Sequence, residues 1–460
     1  MRRKFVTLLL ALSLACGCLA GCGGGSGEKD KNTKDPSGTQ TGEVKELTLW
    51  CSYDEASTAV LKGLVEKFNE EYKDQYHMKV ENTGTVTTYR TKLLSLKQSD
   101  YPSVFFGVSN AMREYASTSY VTPIQKYVDA DPDKWTEDLY DNVRAAYSDQ
   151  EGNLVGGVMG LSTKGYMVNV TALEAAGYQL SDITSFEKIA EISQAAVDKG
   201  VVKYGYCIGD GNDIFDMLIY QGVEVFDGGD GYTGEITKCM YTEGETNAAL
   251  KKLLGLQAKL FKSGAAYKNT GGTSACMSLF VNKQALFWTC TNSFVYEFSD
   301  LNMDFEWAFV PFTGVDENAK YKGCALTEGT GLFIANSGDE AQMQGAYEFI
   351  KFMARPEIQV SWCTYRGYIP YTKEAAASQE WIKYQDEFYP SAGQLMEMMR
   401  NTPSDLRFPN SLLMAQILSA NANIKSVIMT EPDSSIDEMI QSAADSLNES
   451  IEILRLRGQQ

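Results

Sequence analysis

Residues 46–50, Glu46-Leu47-Thr48-Leu49-Trp50, read as a strand. Ser52 to Ala56 turns the chain, and Val60, Leu61, Leu64, Val65 and Phe68 then recur at helical spacing. His77 to Val80 is a second strand and Tyr89 to Leu96 a second helix. Tyr101-Pro102-Ser103 introduces a third, buried strand, Val104-Phe105-Phe106-Gly107, and Met112 to Ala116 is a short helix. Strands alternating with helices in this order specify an α/β protein, with a mostly parallel sheet covered by helices on both faces. Ligands of such sheets lie beyond the carboxyl ends of the strands. Here those ends are Cys51 to Asp54, Thr83 to Thr87 and Gly107 to Asn110. All are rich in short polar groups, which ordinary turn and cap chemistry also explains.

Upstream of this unit, Arg2, Arg3 and Lys4 precede a short apolar run, Phe5 to Ala15, and then Leu19-Ala20-Gly21-Cys22. The run is too short to span roughly 30 Å of hydrocarbon, and small residues mark a processing site. The pattern resembles a bacterial lipoprotein signal, with cleavage before Cys22 and a diacylglyceryl group on its sulfur. Residues 1–21 are therefore expected to be a signal peptide. Residues 22–43, nearly devoid of apolar side chains, are expected to be a flexible tether. The folded body would then work outside the cytoplasm, held to the cell membrane by lipid.

Downstream, Asp149 to Asn153 and the Gly156-Gly157 pair read as a hairpin leading to the extended segment Lys164 to Asn169. A second α/β series follows: a helix Ser185 to Ala196 capped by Ser185, a strand Tyr204 to Ile208, a helix Phe215 to Gln221, a long amphipathic helix Glu245 to Ser263, and a strand Ala285 to Trp288. Glu306 to Pro311 and Gly331 to Ala335 are further strands, the first expected to return to the opening lobe. Gln344 to Met353 is a helix, Pro356 starts another, and the last hundred residues are mainly helical. Asp227 to Tyr232 resembles a calcium loop only superficially, because Gly229 stands where an oxygen ligand is needed.

Removing residues 1–21 takes away three basic side chains and no acidic one. The remaining 439 residues carry 38 basic against 60 acidic groups, a formal charge of −22. That field opposes nucleic-acid binding and suits a neutral ligand or a cation; an anion would need a local basic site. The length suits two or three domains. Besides Cys22, seven cysteines (51, 207, 239, 276, 290, 324 and 363) are scattered singly, without zinc spacing. Buried free thiols explain them, although export leaves room for one or two disulfides. His77 is the only histidine, which excludes HExxH, Ser-His-Asp and Cys-His chemistry within the chain. No metal or cofactor is expected.

The stretches ELTLWCSYDEAS and LVEKFNEEY (46–72), ALFWTCTNS (285–293), EWAFVPF (306–312), GTGLFIANSG with AYEFIKFM (329–353) and YRGYIPYTKEA (365–375) stand in one order. In that order they resemble the extracellular solute-binding proteins of ABC importers, in the group that includes maltose- and glycerol-phosphate-binding proteins. The resemblance implies a periplasmic-binding-protein-like fold of two discontinuous α/β lobes around a hinged ligand cleft. The expected division is 44–162 with 305–338 for lobe 1, and 163–304 with 339–460 for lobe 2. It also implies a monomer that delivers its ligand to the transmembrane subunits of an ABC permease. The chain has no GxxxxGK[ST] loop and would not itself hydrolyse ATP.

The resemblance places ligand contacts at Trp50 and Tyr53 in the loop after the first strand. It adds Trp288 and Asn292 after the ALFW strand, Glu328 and Gly329 in a glycine-rich turn, and Arg366 and Tyr368 in a segment where Arg366 replaces the usual Thr. Trp288 can equally pack in the core, and Tyr368 can serve a structural role beside Pro370. A pyranose offers an apolar C–H face to Trp or Tyr and a polar rim to Asp, Glu and Asn. A carbohydrate, an oligosaccharide above all, is therefore the expected ligand, captured without being altered. Arg366 motivates an alternative, an anionic solute such as a glycerol phosphate ester, because a guanidinium grips phosphate or carboxylate bidentately. It could also hydrogen-bond sugar hydroxyls or form an interlobe salt bridge. A secreted glycoside hydrolase is a third reading, and it requires two carboxylates about 5–10 Å apart across the scissile bond.

Overall fold

The computed structural model describes residues 43–84, 92–209, 213–269, 271–301 and 303–458. The signal peptide, Cys22, nearly all of the tether, and parts of the expected Thr83–Thr87 loop and Tyr89–Leu96 helix lie outside them.

The opening strand is β1 (Lys45–Cys51). It pairs in parallel with β2 (Tyr76–Asn82) on one side and β3 (Val104–Val108) on the other. Between β1 and β2 the helix Glu55–Glu71 starts at Asp54, whose carboxylate accepts the Ser57 amide. Such a cap contributes about 1 kcal/mol. Leu61, Leu64, Val65 and Phe68 form its buried face, matching the spacing read from the sequence. β4 (Val121–Thr122) and β5 (Gly157–Ser162) complete the first half of the chain's contribution to this sheet.

The chain then passes through Thr163 directly into β6 (Lys164–Asn169) of a second sheet. This sheet gains β7 (Tyr204–Ile208), β8 (Ala266–Tyr267), β9 (Ala285–Thr291) and β10 (Trp307–Pro311), in the order β10-β6-β9-β7-β8. After β10 the chain returns to the first sheet as β11 (Glu328–Ala335), which lies between β3 and β4 and also pairs with β5. Each sheet is parallel except for one strand, β11 in the first and β6 in the second. These are the two strands the chain enters on crossing between sheets. The fold is two α/β lobes, as expected.

Two placements differ from the expected division. β10 does not return to the first lobe; it pairs antiparallel with β6, from Trp307 opposite Asn169 to Pro311 opposite Gly165. Only β11 makes the return. The helix Glu340–Met353, expected in the second lobe, packs instead on β1, β5 and β11. Its buried Phe349, Ile350 and Met353 join the first core, where Ile350 lies over Gly157. The helix Pro356–Arg366 and the stretch after it stay with the first lobe, where Ile369 bridges Leu161 of β5 and Thr372 bridges Leu139. The transfer to the second lobe comes later, where the helix Ser391–Arg400 packs on β10. The helices Met414–Thr430 and Ile436–Leu456 then pack on each other and on Gly244–Ser263. Apolar periodicity predicts a helix's inward face but not which of two similar sheets that face covers.

Candidate functional site

All eight expected ligand residues are engaged by other parts of the protein. Trp50 is 4 % exposed; its indole N–H donates to Glu81 at 2.9 Å and the Lys92 ammonium lies 4.3 Å over its ring. Trp288 has no exposed surface and sits among Phe280, Phe294 and Phe298, with ring centroids 5.2–6.5 Å away. Its role is core packing rather than stacking on a ligand: side chains alternate along β9, and this one points inward. Asn292 is also fully buried. It accepts the Thr163 amide at 2.8 Å and donates to the Gly367 carbonyl at 3.0 Å, so it fastens the lobe crossing to the end of the helix Pro356–Arg366. Glu328 faces Lys164 across the crossing at 3.6 Å, and Lys164 also pairs with the buried Asp216 at 2.7 Å. Gly329 has φ 153°, and a Cβ there would meet the Gly160 carbonyl at 2.1 Å; glycine is required for two strands to approach this closely.

Arg366 is 9 % exposed. It donates to the Ser57 hydroxyl at 2.9 Å and to Asp54 at 3.4 Å, and its guanidinium lies 5.0, 4.2 and 5.8 Å from the rings of Tyr53, Tyr296 and Tyr368. Burial opposes the charge, while the surrounding tyrosine oxygens support it, and its pKa stands above the usual arginine value. Of the three outcomes open to Arg366, the structure displays a lobe-to-lobe contact, since Tyr296 follows β9 and Asp54 follows β1. Tyr53 and Tyr368 belong to this cluster, their hydroxyls 3.5 Å apart. Tyr53 packs on Phe106 and Trp362, and the Tyr368 ring lies over Gly160. Burial pushes the Tyr53 phenol up, and Tyr368 beside it adds to the shift. The sequence therefore located one real cluster, Tyr53 with Arg366 and Tyr368. Glu328, Gly329 and Asn292 flank the crossing, and Trp50 and Trp288 stand elsewhere.

A cavity of about 520 Å³ lies between the lobes. Its first wall holds Ser109 and Asn110 at the carboxyl end of β3, Asn142, and the turn from Ser148 to Gly152; its second holds Tyr232 and the segment from Ser404 to Asn410. Larger hollows of about 850 and 1030 Å³ are each lined by the second lobe alone. The second wall is built on a left-handed turn: Gly228, Gly229, Asp230 and Gly231 all have φ between 54° and 82°. Three glycines make this turn accessible, and Asp230 is fixed in it by accepting the Phe226 amide at 2.7 Å. Burial raises the Asp230 pKa to about 7. The Asp227 carboxylate is taken up by the amides of Thr237 and Lys238, so the loop's two acids serve its own backbone.

Tyr232 projects from this turn. Its hydroxyl donates to the Phe408 carbonyl at 3.0 Å, and the Arg407 guanidinium stacks 3.3 Å from its ring centre. From the opposite wall Gln150 donates to the Gly231 carbonyl at 2.9 Å and accepts from Arg113 at 3.1 Å, linking the lobes across the opening. Strand-end logic indicated Asn110, but nothing in the sequence distinguished Tyr232, Asn142 or Arg407. The only available signal was an aromatic side chain following a run of glycines.

Among the described residues no group of three or more His, Cys, Asp or Glu is arranged to hold a metal, and no helix is long and apolar enough to cross a membrane. The seven cysteines from Cys51 to Cys363 are free thiols. His77 is half-buried and lies 3.2 Å from Glu46.

Several solved structures share this architecture. The sugar-binding protein MalE from Xanthomonas citri superposes with a TM-score of 0.72 at 18% identity, over 90% of this chain and 100% of that one. UgpB from Mycobacterium tuberculosis, solved with glycerophosphocholine, gives 0.69 at 15% identity over 90% and 100%. The maltotriose-binding protein of Thermus thermophilus gives 0.66 at 15% over 88% and 100%. At these identities the likeness establishes the fold. No curated protein sequence matches the chain. The family model for bacterial extracellular solute-binding proteins matches residues 63–388, and with two lobes facing each other across a polar cavity, the chain belongs to that family.

Proposed function

We propose that the protein captures a carbohydrate, an oligosaccharide by size, in the cavity between its lobes and hands it unaltered to the transmembrane subunits of an ABC permease. The observation that carries this reading is the cavity's lining. Short polar side chains of one lobe, Ser109 and Asn110, lie across the cavity from the aromatic ring of Tyr232 on the other, and Asn142 and Asn410 complete its walls while donating to the protein itself. Hydroxyl-rich ligands need donors and acceptors at their rim and an aromatic surface against their C–H face. A ligand touching both walls stabilises the closed arrangement over the open one, so binding shifts the hinge equilibrium. The hinge consists of the β5–β6 and β10–β11 crossings and the stretch between Thr372 and Ser391. A diacylglyceryl group on Cys22, with 22–43 as spacer, would hold the body at the outer face of the cell membrane.

The test is calorimetry against a panel of mono- and oligosaccharides, with the ligand re-isolated afterwards. Saturable binding with the sugar recovered intact is expected, and Tyr232→Ala should weaken it about tenfold while the protein still melts cooperatively as a folded chain. Appearance of hydrolysis products would instead make the protein a glycosidase. Arg366 no longer favours the phosphate-ester alternative, because its donors face Ser57 and Asp54 and tyrosine rings enclose it.

A further inference from the structure

Two guanidinium groups line the interlobe cavity, one from each lobe: Arg113 and Arg407. Among the described residues neither has a carboxylate within salt-bridge distance, although acidic side chains outnumber basic ones by 60 to 41. Elsewhere on this acidic surface lysines and arginines are repeatedly drawn into ion pairs, such as Arg355 with Glu71 and Lys320 with Asp405. Of the two acids in the cavity, Asp149 is turned back to accept the amide and side chain of Asn153 at 2.8 and 3.0 Å, and Glu151 is exposed at the turn. The Arg407 guanidinium carbon lies 3.3 Å over the Tyr232 ring centre, and a guanidinium stacked at that distance keeps its N–H donors available at its edge. Arg113 is oriented by its hydrogen bond to Gln150.

We infer that the cavity is built for an acidic saccharide, one bearing a carboxylate on a sugar ring, with Arg407 as the residue that recognises that carboxylate and Arg113 supporting it from the other lobe. The inference rests on the proposed function and specifies its ligand class. A planar guanidinium matches a carboxylate bidentately, and the charge-assisted pair is stronger than a neutral hydrogen bond. The same Tyr232 that positions Arg407 offers its edge or remaining face to the sugar ring. A fixed pair of positive charges also counteracts the repulsion that a chain of net charge −19 exerts on an anion.

The experiment titrates uronate-containing di- and trisaccharides of several linkages into the full chain, each beside its carboxyl-reduced counterpart, which differs only in the charged group. Tighter binding of at least one acidic member than of its reduced partner, weakened by added salt, is expected. Arg407→Met should remove roughly tenfold to a hundredfold of affinity for the acidic ligand. It should also bring that ligand level with its reduced partner, which a merely structural role for Arg407 would not do. Arg113→Met, on the opposite lobe, should act in the same direction with a smaller loss, so the outcome does not depend on one variant folding. Equal or tighter binding of the reduced sugars would overturn the acidic-ligand inference and leave carbohydrate capture standing. Binding of no saccharide, acidic or neutral, would overturn both.

Discussion

Arginine meets tyrosine in two places in this molecule, with opposite results. At Arg366 three tyrosines surround the guanidinium, Ser57 and Asp54 take its donors, and only 9 % of the residue is exposed. At Arg407 a single tyrosine supports one face, no acid is paired, and the residue is exposed on the wall of the cavity. The same pair of residue types is a lobe-to-lobe clamp in one region and a cavity-facing surface in the other. The difference lies in whether the in-plane donors are already occupied, since stacking leaves them available in both. An arginine is therefore assigned by its hydrogen-bond partners and burial rather than by its position in a motif.

The largest expected effect lies behind the sealed region. Trp288→Ala should cost about 3–5 kcal/mol of stability, because it empties a fully buried site among aromatic rings. Denaturant unfolding would measure it, and ligand affinity of the remaining folded protein should be nearly unchanged; a loss of affinity at full stability would return Trp288 to the ligand. Next, Arg366→Met should destabilise by about 2 kcal/mol through the loss of its charge-assisted hydrogen bonds. Small-angle scattering should also show the free protein more open. If it bound ligand less tightly without either change, the contrast between the two arginines would be lost.

A smaller effect concerns the turn that carries Tyr232. With its folded pKa raised to about 7, Asp230 stabilises the fold while protonated. That contribution is complete below about pH 4 and is lost as the pH climbs towards 7, because the native state holds the proton more tightly than the unfolded chain. Discounted for partial exposure, the loss is about 1–2 kcal/mol. Asp230→Asn, which also tolerates the left-handed conformation, should flatten the melting temperature over that interval; an unaltered slope would place the titration elsewhere. Smallest of all, Gln150→Ala should change stability by less than about 1 kcal/mol, since its bond to the Gly231 carbonyl is exposed. It should still widen the free protein measurably by scattering. No change in shape would mean that Gln150 does not hold the lobes together.

Much of the fold was legible. The β-α-β-α-β opening follows from apolar period and turn residues between Glu46 and Ala116, and the Ser185 cap appears where the sequence placed it, accepting the Lys188 amide. The site was less legible. Tyr53, Arg366 and Tyr368 do come together, though 315 positions separate Tyr53 from Tyr368. Trp288 and Asn292 were drawn to the cleft by their place after a strand, while their side chains turn inward to a core and to a crossing. Tyr232 and Arg407, 175 positions apart by number, gave no sign of meeting.

The sequence by itself determined the alternation of strands and helices, because period, capping and turn chemistry act among neighbouring residues; the two-lobed architecture was implied by the resemblance of its segments to a known family. The tertiary structure alone decided which sheet received β10 and the helix Glu340–Met353, which arginine was sequestered, and which one faced the cavity. Those outcomes depend on burial and on hydrogen-bond partners brought from distant parts of the chain, and local pattern carries no information about such partners.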